Sequence, residues 1–307
     1  MFATRIVSAF AYAGFWAVAA ATAVSLVPAD AKGKALSVVG TGLTLATIVG
    51  VPAGTVLSQH AGWRAAFWGV VALTALSLVS LLAALPAGRP DHAELPSVRR
   101  EVAAMARPAL WVSYLLTTLS FGAAIVTFSY LAPLLTEVSG LPAALVPAVL
   151  ALYGVGGLLG VTLGGRTADR HPLRTLFLGI GGLTAASALL ALTAADLAVT
   201  IALIFALGLT GYLTNPVVQS RVFTLAPGAP TLAPAVNTSA FNVGITLTPM
   251  LGGLTIDAGL GYTSVAWVGA AVGAAALGAA LWAAALQRRV DSRATAPRTP
   301  DAVAMAD

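Results

Sequence analysis

The residues best placed to do chemistry form one short polar loop between two apolar stretches. Asp169 and Arg170 form an adjacent acid and base in this loop, Gly165 precedes them and Arg174 follows them. A carboxylate beside arginines at the ends of two helices can form ion pairs that hold the helices together. Breaking such pairs permits one group of helices to move against another. The loop is therefore predicted to act as a gate. The alternative is a basic membrane-flanking loop that contains an aspartate without such a role.

Arg5 is an ionisable residue that lies inside a predicted apolar span. An arginine at membrane depth indicates a functional site, such as a proton relay. Its position near the end of the span also allows the side chain to extend to the lipid headgroups. The sequence alone does not separate these two interpretations.

Several uncharged polar side chains lie within or close to apolar stretches, namely Tyr130, Tyr153, Asn215, Gln219, Asn237 and Asn242. Hydroxyl and amide groups in lipid need partners, so these residues face other helices or a water-filled cavity. Bonding between helices is favoured for Asn237 and Asn242. Asn215 directly precedes Pro216, where a helix break frees backbone groups. The best candidates for a cavity are Tyr130, Tyr153, Asn215 and Asn242, and such a cavity suits an uncharged, mostly apolar solute.

These residues belong to a strongly apolar chain. Of its 307 residues, 58% are hydrophobic and 9% are charged, whereas about 25% are charged in a soluble domain. Apolar windows of about 20 residues recur without strand-like alternation, which predicts membrane-spanning helices. Nine spans are predicted: Ala3–Val27, Ala35–Leu57, Ala65–Leu85, Leu110–Leu134, Ala144–Leu163, Leu173–Ala194, Leu197–Val217, Pro234–Ile256 and Thr263–Leu286. The sequence contains no cysteine, phosphate-binding loop, metal-ligand cluster or nucleophile triad, so no cofactor, metal site or enzyme activity is predicted.

The basic residues predict the orientation of the chain. All but two of the 16 lysines and arginines fall on one side of the predicted spans, the exceptions being Arg5 and Arg64. The positive-inside rule makes that side cytoplasmic, so the C-terminus is predicted to be cytoplasmic and no nucleic-acid partner is predicted. The predicted domains are a three-helix unit at residues 1–86, a cytoplasmic linker at 87–108, a six-helix bundle at 109–290 and a disordered cytoplasmic tail at 291–307.

A span rich in glycine and proline occurs twice in the chain. The residues concerned are Gly50, Pro52 and Gly54 in the first copy and Pro249, Gly252 and Gly253 in the second. Glycine lets a neighbouring helix approach closely, and proline bends the helix that contains it. Each copy is followed by a glycine and an aromatic residue, Gly62-Trp63 or Gly261-Tyr262, and then by another span. Residues 1–86 therefore match the second half of the six-helix unit at 109–290.

These motifs resemble those of the Major Facilitator Superfamily. The first copy resembles the antiporter motif G-x-x-x-G-P-x-x-G-G of its drug exporters, with Ala46 in place of the first glycine and the proline one position late at Pro52. The loop from Gly165 to Arg174 resembles the superfamily's motif G-x-x-x-D-R-x-x-R/K-R/K. Further stretches are similar to those of the Cmx-type chloramphenicol exporters: Thr4–Trp16, Ala21–Leu36, Val49–Gly54, Gly62–Arg64 with Phe67–Trp68, Phe128–Pro133 and Pro227–Pro230.

The resemblance implies both a fold and a function. The fold is the all-α, twelve-helix major facilitator fold, of which this chain would contain helices four to twelve, with an incomplete N-terminus. The function is a drug:proton antiporter, monomeric in the inner or plasma membrane, that exports chloramphenicol-like compounds in exchange for protons by alternating access. Arg5 would take part in proton transfer. An exporter of sugars or metabolites, and a non-transporting membrane fragment or scaffold, are the alternatives.

Overall fold

The computed structural model describes residues 45–84, 98–168, 170–229 and 232–294, together with isolated positions before residue 45. Every regular element within these ranges is helical. The longer helices are α1 (Val51–Ala61), α2 (Trp63–Ala84), α3 (Val98–Ala104), α4 (Pro108–Ser129), α5 (Val146–Ala168), α6 (Pro172–Thr193), α7 (Leu197–Leu213), α8 (Asn215–Leu225), α9 (Leu232–Asp257) and α10 (Thr263–Ala294). Short helical turns cover Ala46–Gly50, Leu131–Pro133, Leu134–Val138 and Ala143–Leu145. Arg5, Asp169 and residues 295–307 lie outside the described residues.

Seven helical segments of the described residues are long and apolar enough to cross a membrane. They are Trp63–Ala83, Pro108–Ser129, Ala143–Ala168, Pro172–Thr193, Leu197–Leu225, Leu232–Asp257 and Thr263–Leu286. Each overlaps one of the predicted spans from the third to the ninth, so those seven predictions are confirmed. The first predicted span lies mostly outside the described residues. The turn Ala46–Gly50 and the first residues of α1 cover the last part of the second span.

The span formed by α7 and α8 extends beyond its predicted end at Val217. The span was predicted to end there because polar residues follow. The side chains of these residues find hydrogen-bond partners, so the helix continues. The Ser220 hydroxyl donates to the Val217 carbonyl at 3.1 Å, and Arg221 Nε donates to the Ser113 hydroxyl at 3.0 Å. The interruption lies earlier, between α7 and α8, where Pro216 supplies no backbone N–H. The predicted linker at 87–108 likewise contains the helix α3.

Six membrane spans, from α4 to α10, pack into one bundle. In this bundle α4 packs against α9 and α10, α5 packs against α7, and α6 packs against α7 and α10. A buried cluster in its interior includes Ala123, Leu135, Leu183 and Ile204. The helices therefore bury apolar side chains against each other as well as exposing them to lipid.

Glycines spaced four residues apart bring α5 against the backbone of α7. The three positions are Gly156, Gly160 and Gly164. A Cβ atom at any of them would overlap a backbone carbonyl oxygen of α7, those of Phe205, Leu209 and Leu213. Lipid gives little hydrophobic drive for one helix to join another, so such close backbone contact is a main source of helix association in a membrane.

The helices α1 and α2 contact the bundle through α1. This helix packs on α5, and Gln59 Nε2 donates a hydrogen bond of 2.9 Å to the Ala143 carbonyl. In contrast, 0% of the span Trp63–Ala83 is buried, although it is strongly apolar. Its surface is therefore available to lipid or to helices outside the described residues.

Both glycine–aromatic turns contain a glycine with a positive φ. Gly62 has φ 79° and Gly261 has φ 72°, a region that residues with a Cβ atom rarely adopt. The Gly62 N–H donates to the Ser58 carbonyl at 3.0 Å and ends α1, and Trp63 begins α2 directly afterwards. The first copy is thus followed directly by α2, whereas five residues, Ala258 to Tyr262, separate α9 from α10.

Candidate functional site

A row of hydrogen bonds joins α4 to α9. Three hydroxyls donate across this seam at 2.8–3.0 Å, namely Tyr114 to the Ala233 carbonyl, Thr117 to Oδ1 of Asn237 and Thr118 to the Ala240 carbonyl. The Thr248 hydroxyl lies 3.0 Å from the Gly122 carbonyl across the seam and 2.7 Å from the Gly244 carbonyl of its own helix, so its single proton is shared between the two. Because lipid supplies no water, such bonds satisfy polar groups and hold helices together. The prediction that Asn237 bonds to another helix is confirmed.

The second copy of the glycine–proline motif comes together with Tyr130. The Tyr130 hydroxyl donates to the Pro249 carbonyl at 3.0 Å. A Cβ atom would lie 3.2 Å from the Tyr130 ring at Gly252 and 2.9 Å from its hydroxyl at Gly253, so the ring fits because both positions lack side chains. Pro249 also removes one backbone hydrogen bond from α9. Four residues predicted from the sequence therefore meet at the irregular point of α9.

The first copy has a similar irregularity but different neighbours. A π-helical turn at Ala46–Gly50 precedes α1, and Pro52 is the second residue of that helix. Both features disturb the regular hydrogen-bond pattern, as the sequence predicts. A Cβ atom at Gly50 or Gly54 would meet no described atom within 4 Å, so the predicted close helix contact is absent among the described residues. The second copy is packed because Tyr130 covers it.

Tyr153 lies in the packed interior of the bundle, with 3% of its surface exposed. Its ring stacks on Phe128 with the ring centres 4.5 Å apart, and it meets Tyr212 edge-on at 6.2 Å. Tyr212 packs on the backbone of Gly157, where a Cβ atom would lie 2.9 Å from the ring. These aromatic side chains therefore form one cluster between α4, α5 and α7. The structure places Tyr153 in the core and not on an open cavity surface.

The two predicted asparagines have different surroundings. Asn215 is half-buried and is the first residue of α8, directly after the interruption of the span. Among the described residues, its side chain has no hydrogen-bond partner. Asn242 is also half-buried, but its Nδ2 donates to the Thr238 carbonyl of its own helix at 2.8 Å, so among the described residues the predicted bond to another helix is not formed. Asn215 therefore retains the greater capacity to bind a solute.

The predicted gating loop joins α5 to α6. Gly165 lies exposed in the last turn of α5, Arg170 lies in the loop, and Arg174 lies in the first turn of α6. Both arginines are exposed, and neither forms an ion pair in the described part of the chain. Asp169 and Arg5 are outside that part, so their roles in ion pairing and proton transfer stay predictions.

Two charged residues of the predicted linker make specific contacts with helix ends. Glu101 is 3% exposed, and its Oε2 accepts a hydrogen bond of 2.6 Å from the Leu232 N–H. Arg107 Nη1 donates to the Leu225 carbonyl at 2.9 Å. No local sequence signal indicates these partners. The sequence indicates only that both residues lie shortly before the first helix of the bundle, where contact with the bundle is possible.

Three buried hydroxyls, those of Ser120, Thr127 and Ser187, have no hydrogen-bond partner among the residues that the structure describes. Two of them face α10, where a Cβ atom at Gly269 would lie 2.5 Å from Thr127 Oγ1 and 3.3 Å from Ser187 Oγ. A buried hydroxyl without a partner lowers stability because it has lost its hydrogen bonds to water. These three hydroxyls therefore lower the stability that the surrounding packing provides.

Irregular membrane helices at matching positions of two related helix pairs are typical of secondary transporters. The fold and the site thus define a polytopic α-helical membrane protein of the transporter class. The chain belongs to the Major Facilitator Superfamily, whose model matches residues 1–230 and again residues 146–304. It is a multi-pass membrane protein, and the members of its family are transporters, not enzymes.

The chain is similar to transport proteins of several bacteria. It is 38% identical over 267 residues to a chloramphenicol resistance protein of Streptomyces lividans, covering 86% of this chain and 68% of that protein. It is 33% identical over 273 residues to the MFS-type transporter YtbD of Bacillus subtilis, covering 88% and 68% of the two chains. It is 35% identical over 272 residues to the inner membrane transport protein YdhP of Escherichia coli O157:H7, covering 88% and 69%. The resemblance inferred from the sequence motifs is confirmed at the level of the family.

Proposed function

We propose that this protein is an antiporter that exports small hydrophobic or amphiphilic compounds of the chloramphenicol type in exchange for protons. The observation that carries the substrate class is the 38% identity to the Streptomyces lividans resistance protein over 86% of the chain. The polar side chains of the spans support it, because the hydroxyls and amides along α4, α8 and α9 suit an uncharged solute with hydrogen-bonding groups.

The proposed solute site lies beside the interruption between α7 and α8. Discontinuous helices offer free backbone groups near the middle of the membrane, where transporters of this kind bind their substrates. Asn215 would contribute its amide, since it has no other partner among the described residues. Tyr130, which directly follows α4, and Asn242 of α9 would line the same path. Tyr153 would support its wall from the packed interior.

Alternating access would arise from rocking of two helix bundles against each other. The contact of α1 with α5 supports this, because it brings the first glycine–proline motif next to the C-terminal bundle. The second motif, at Pro249, would lie in a corresponding helix of that bundle. Ion pairs between Asp169 and the arginines Arg170 and Arg174 would stabilise one of the two facing states. Arg5 would relay protons.

In this proposal the nine spans correspond to helices four to twelve of the twelve-helix family fold. Two observations support it: the matching turns at Gly62 and Gly261, and the unburied surface of α2, which leaves room for further helices. The protein would be a monomer in the plasma membrane. Its parts would be the second half of the N-terminal bundle at 1–86, a cytoplasmic linker at 87–108, the C-terminal bundle at 109–290 and a cytoplasmic tail at 291–307.

The orientation is tested with single cysteines, because the chain has none of its own. A cysteine at Ser58 should react with a membrane-impermeant thiol reagent in intact cells. One at Ser97 should react only after the cells are opened. The reverse pattern would contradict a cytoplasmic linker and C-terminus.

Growth assays test the function. The 307-residue chain and a twelve-helix fusion, in which the first three helices of a related chloramphenicol exporter precede it, are expressed in cells lacking their main efflux pumps. We expect the fusion to raise the chloramphenicol concentration that stops growth, and the 307-residue chain to leave it unchanged. Protection by both chains alike would contradict the assignment to helices four to twelve. No protection by a well-expressed fusion would contradict chloramphenicol export, and a lowered accumulation of labelled sugar would favour a sugar exporter.

A matched pair of variants tests the solute site within the fusion. Asn215→Ala should remove most of the protection, because it removes the amide proposed to bind the drug. Gln219→Ala should not, because Gln219 carries the same amide on the same helix but is exposed. Equal protection by the two variants would contradict the role of Asn215.

A further inference from the structure

The linker helix α3 places a carboxylate on the N-terminus of α9. Glu101 accepts a hydrogen bond from the N–H of Leu232, the first residue of α9, at 2.6 Å. The first N–H groups of a helix have no partner within it, and they carry the positive end of the helix dipole. A negative charge is therefore favourable at this position. Glu101 is 3% exposed, so the contact is shielded from competing water.

The residue that precedes α4 places the opposite charge on the C-terminus of α8. Arg107 donates to the carbonyl of Leu225, the last residue of α8, at 2.9 Å. The last carbonyls of a helix lack partners and carry the negative end of its dipole, so a cation is favourable there. The acid and the base thus each contact the helix end of opposite polarity, on the two sides of the turn that joins α8 to α9.

Apolar contacts fill the space between these two charged contacts. A Cβ atom at Gly228, in the turn between α8 and α9, would lie 3.3 Å from Cβ of Ala104 in α3. Ala104 and Met105 pack against a buried cluster that contains Val222 of α8 and Ala233 of α9, one from each side of this turn. The linker is therefore packed on the turn as well as hydrogen-bonded to it.

We propose that α3 is a clasp on the turn between α8 and α9, with Glu101 and Arg107 as positioning residues of the transport cycle. The clasp holds two helix ends at a fixed separation. These are the C-terminus of α8, which carries the proposed solute site, and the N-terminus of α9, which contains Pro249. The clasp stays closed while the bundles rock. The role in transport rests on the proposed function. The charge-dependent closure of the clasp does not, and it is tested separately.

Disulfide formation tests the closed clasp in membranes that contain the 307-residue chain. The chain has no cysteine, so the double variant Ala104→Cys and Gly228→Cys contains the only pair. The Cβ separation of 3.3 Å is close to that of a disulfide, about 3.5–4.5 Å. This pair should cross-link rapidly under mild oxidation. The control pair with Ala103→Cys instead should not, because Ala103 is exposed on another face of α3. Equal rates for the two pairs would overturn the closed clasp.

Charge variants in the same cysteine background test what closes it. Glu101→Gln keeps an acceptor oxygen but loses the charge, and should slow cross-linking about tenfold, as for loss of one charge-assisted hydrogen bond. Arg100→Gln is the matched control, since Arg100 is exposed on the same helix. The exchange Glu101→Arg with Arg107→Glu should not restore the rate, because each helix end has a fixed polarity. Restoration by this exchange, or an unchanged rate in Glu101→Gln, would overturn the proposed charge pairing.

Export by the twelve-helix fusion tests the role in transport. The cross-linked cysteine pair should export chloramphenicol at the unmodified rate, because the clasp stays closed during the cycle. Arrest by the cross-link, with recovery on reduction, would overturn that statement. A fusion that exports nothing would contradict the proposed function instead, and the cross-linking rates would still decide whether the charges close the clasp.

Discussion

Replacing Gly253 by alanine tests whether the Tyr130 hydroxyl occupies the space at the second glycine–proline motif. Alanine at a glycine with open space in a helix stabilises it by about 1 kcal/mol. At Gly253 the added Cβ would lie 2.9 Å from the Tyr130 hydroxyl, which is tighter than ordinary van der Waals contact. The hydroxyl would have to shift and weaken its bond to Pro249, at a cost of roughly 0.5–1.5 kcal/mol. The two effects should nearly cancel.

The result should change once the hydroxyl is absent. Tyr130→Phe alone should destabilise the protein by roughly 0.5–1.5 kcal/mol, because the hydrogen bond to Pro249 is lost. Apart from its chain neighbours and the backbone of α9, no other described atom lies within 4 Å of the added Cβ. Gly253→Ala in the Tyr130→Phe background should therefore recover the full gain of about 1 kcal/mol. The two substitutions should therefore be coupled by about 1 kcal/mol, as expected for residues in direct contact.

The cycle requires four proteins and one reference variant. Their thermal unfolding is followed in detergent by loss of the monodisperse peak on size-exclusion chromatography. Gly278→Ala is the reference, because Gly278 lies in α10 with open space around it and measures the gain from alanine alone. If Gly253→Ala stabilises the protein equally with and without the Tyr130 hydroxyl, the reasoning about this contact is wrong.

Three further predictions concern packing and gating. Gly160→Ala should destabilise the bundle by roughly 1–3 kcal/mol because its methyl group would overlap a backbone carbonyl of α7, whereas Gly181→Ala, with open space around it, should not. Thr127→Val should stabilise by about 1 kcal/mol by removing a buried hydroxyl without a partner, whereas Thr117→Val should destabilise because it breaks a bond across the seam. Thermal unfolding measures both pairs, and equal effects within a pair would contradict the packing described. Asp169→Asn should reduce export by the fusion while the amount of fusion protein in the membrane stays unchanged. Normal export by this variant would mean that the loop indicates only the membrane topology.

The membrane spans could be predicted from the sequence because lipid imposes a local rule on each one. A long apolar stretch must satisfy its backbone internally, and a helix does so without help from distant residues. The turns at Gly62 and Gly261 are local in the same way, since each requires a positive φ that glycine adopts. The end of α8 could not be predicted, because Arg221 is accommodated by Ser113, which is 108 residues away.

The candidate site could be predicted only in part. Proline and glycine spacing correctly indicated the irregular helix of the first copy, which has a π-helical turn at Ala46–Gly50, and Asn237 correctly indicated a bond between helices. The burial of Tyr153 followed from the rings that pack on it, and no sequence pattern identifies those neighbours. Glu101 and Leu232 are 131 residues apart. Their contact depends on how the linker folds onto the bundle. The composition of the linker therefore predicted only that it lies on the cytoplasmic side.

Proton-driven uptake into inverted membrane vesicles tests the central claim most directly. Vesicles containing the twelve-helix fusion are given radiolabelled chloramphenicol and then a proton gradient, acid inside. The account predicts accumulation of the drug that collapses when a protonophore is added and that is lost in Asn215→Ala but kept in Gln219→Ala. Absence of uptake by a fusion present in normal amount, or uptake that a protonophore leaves unchanged, would contradict exchange of the drug for protons.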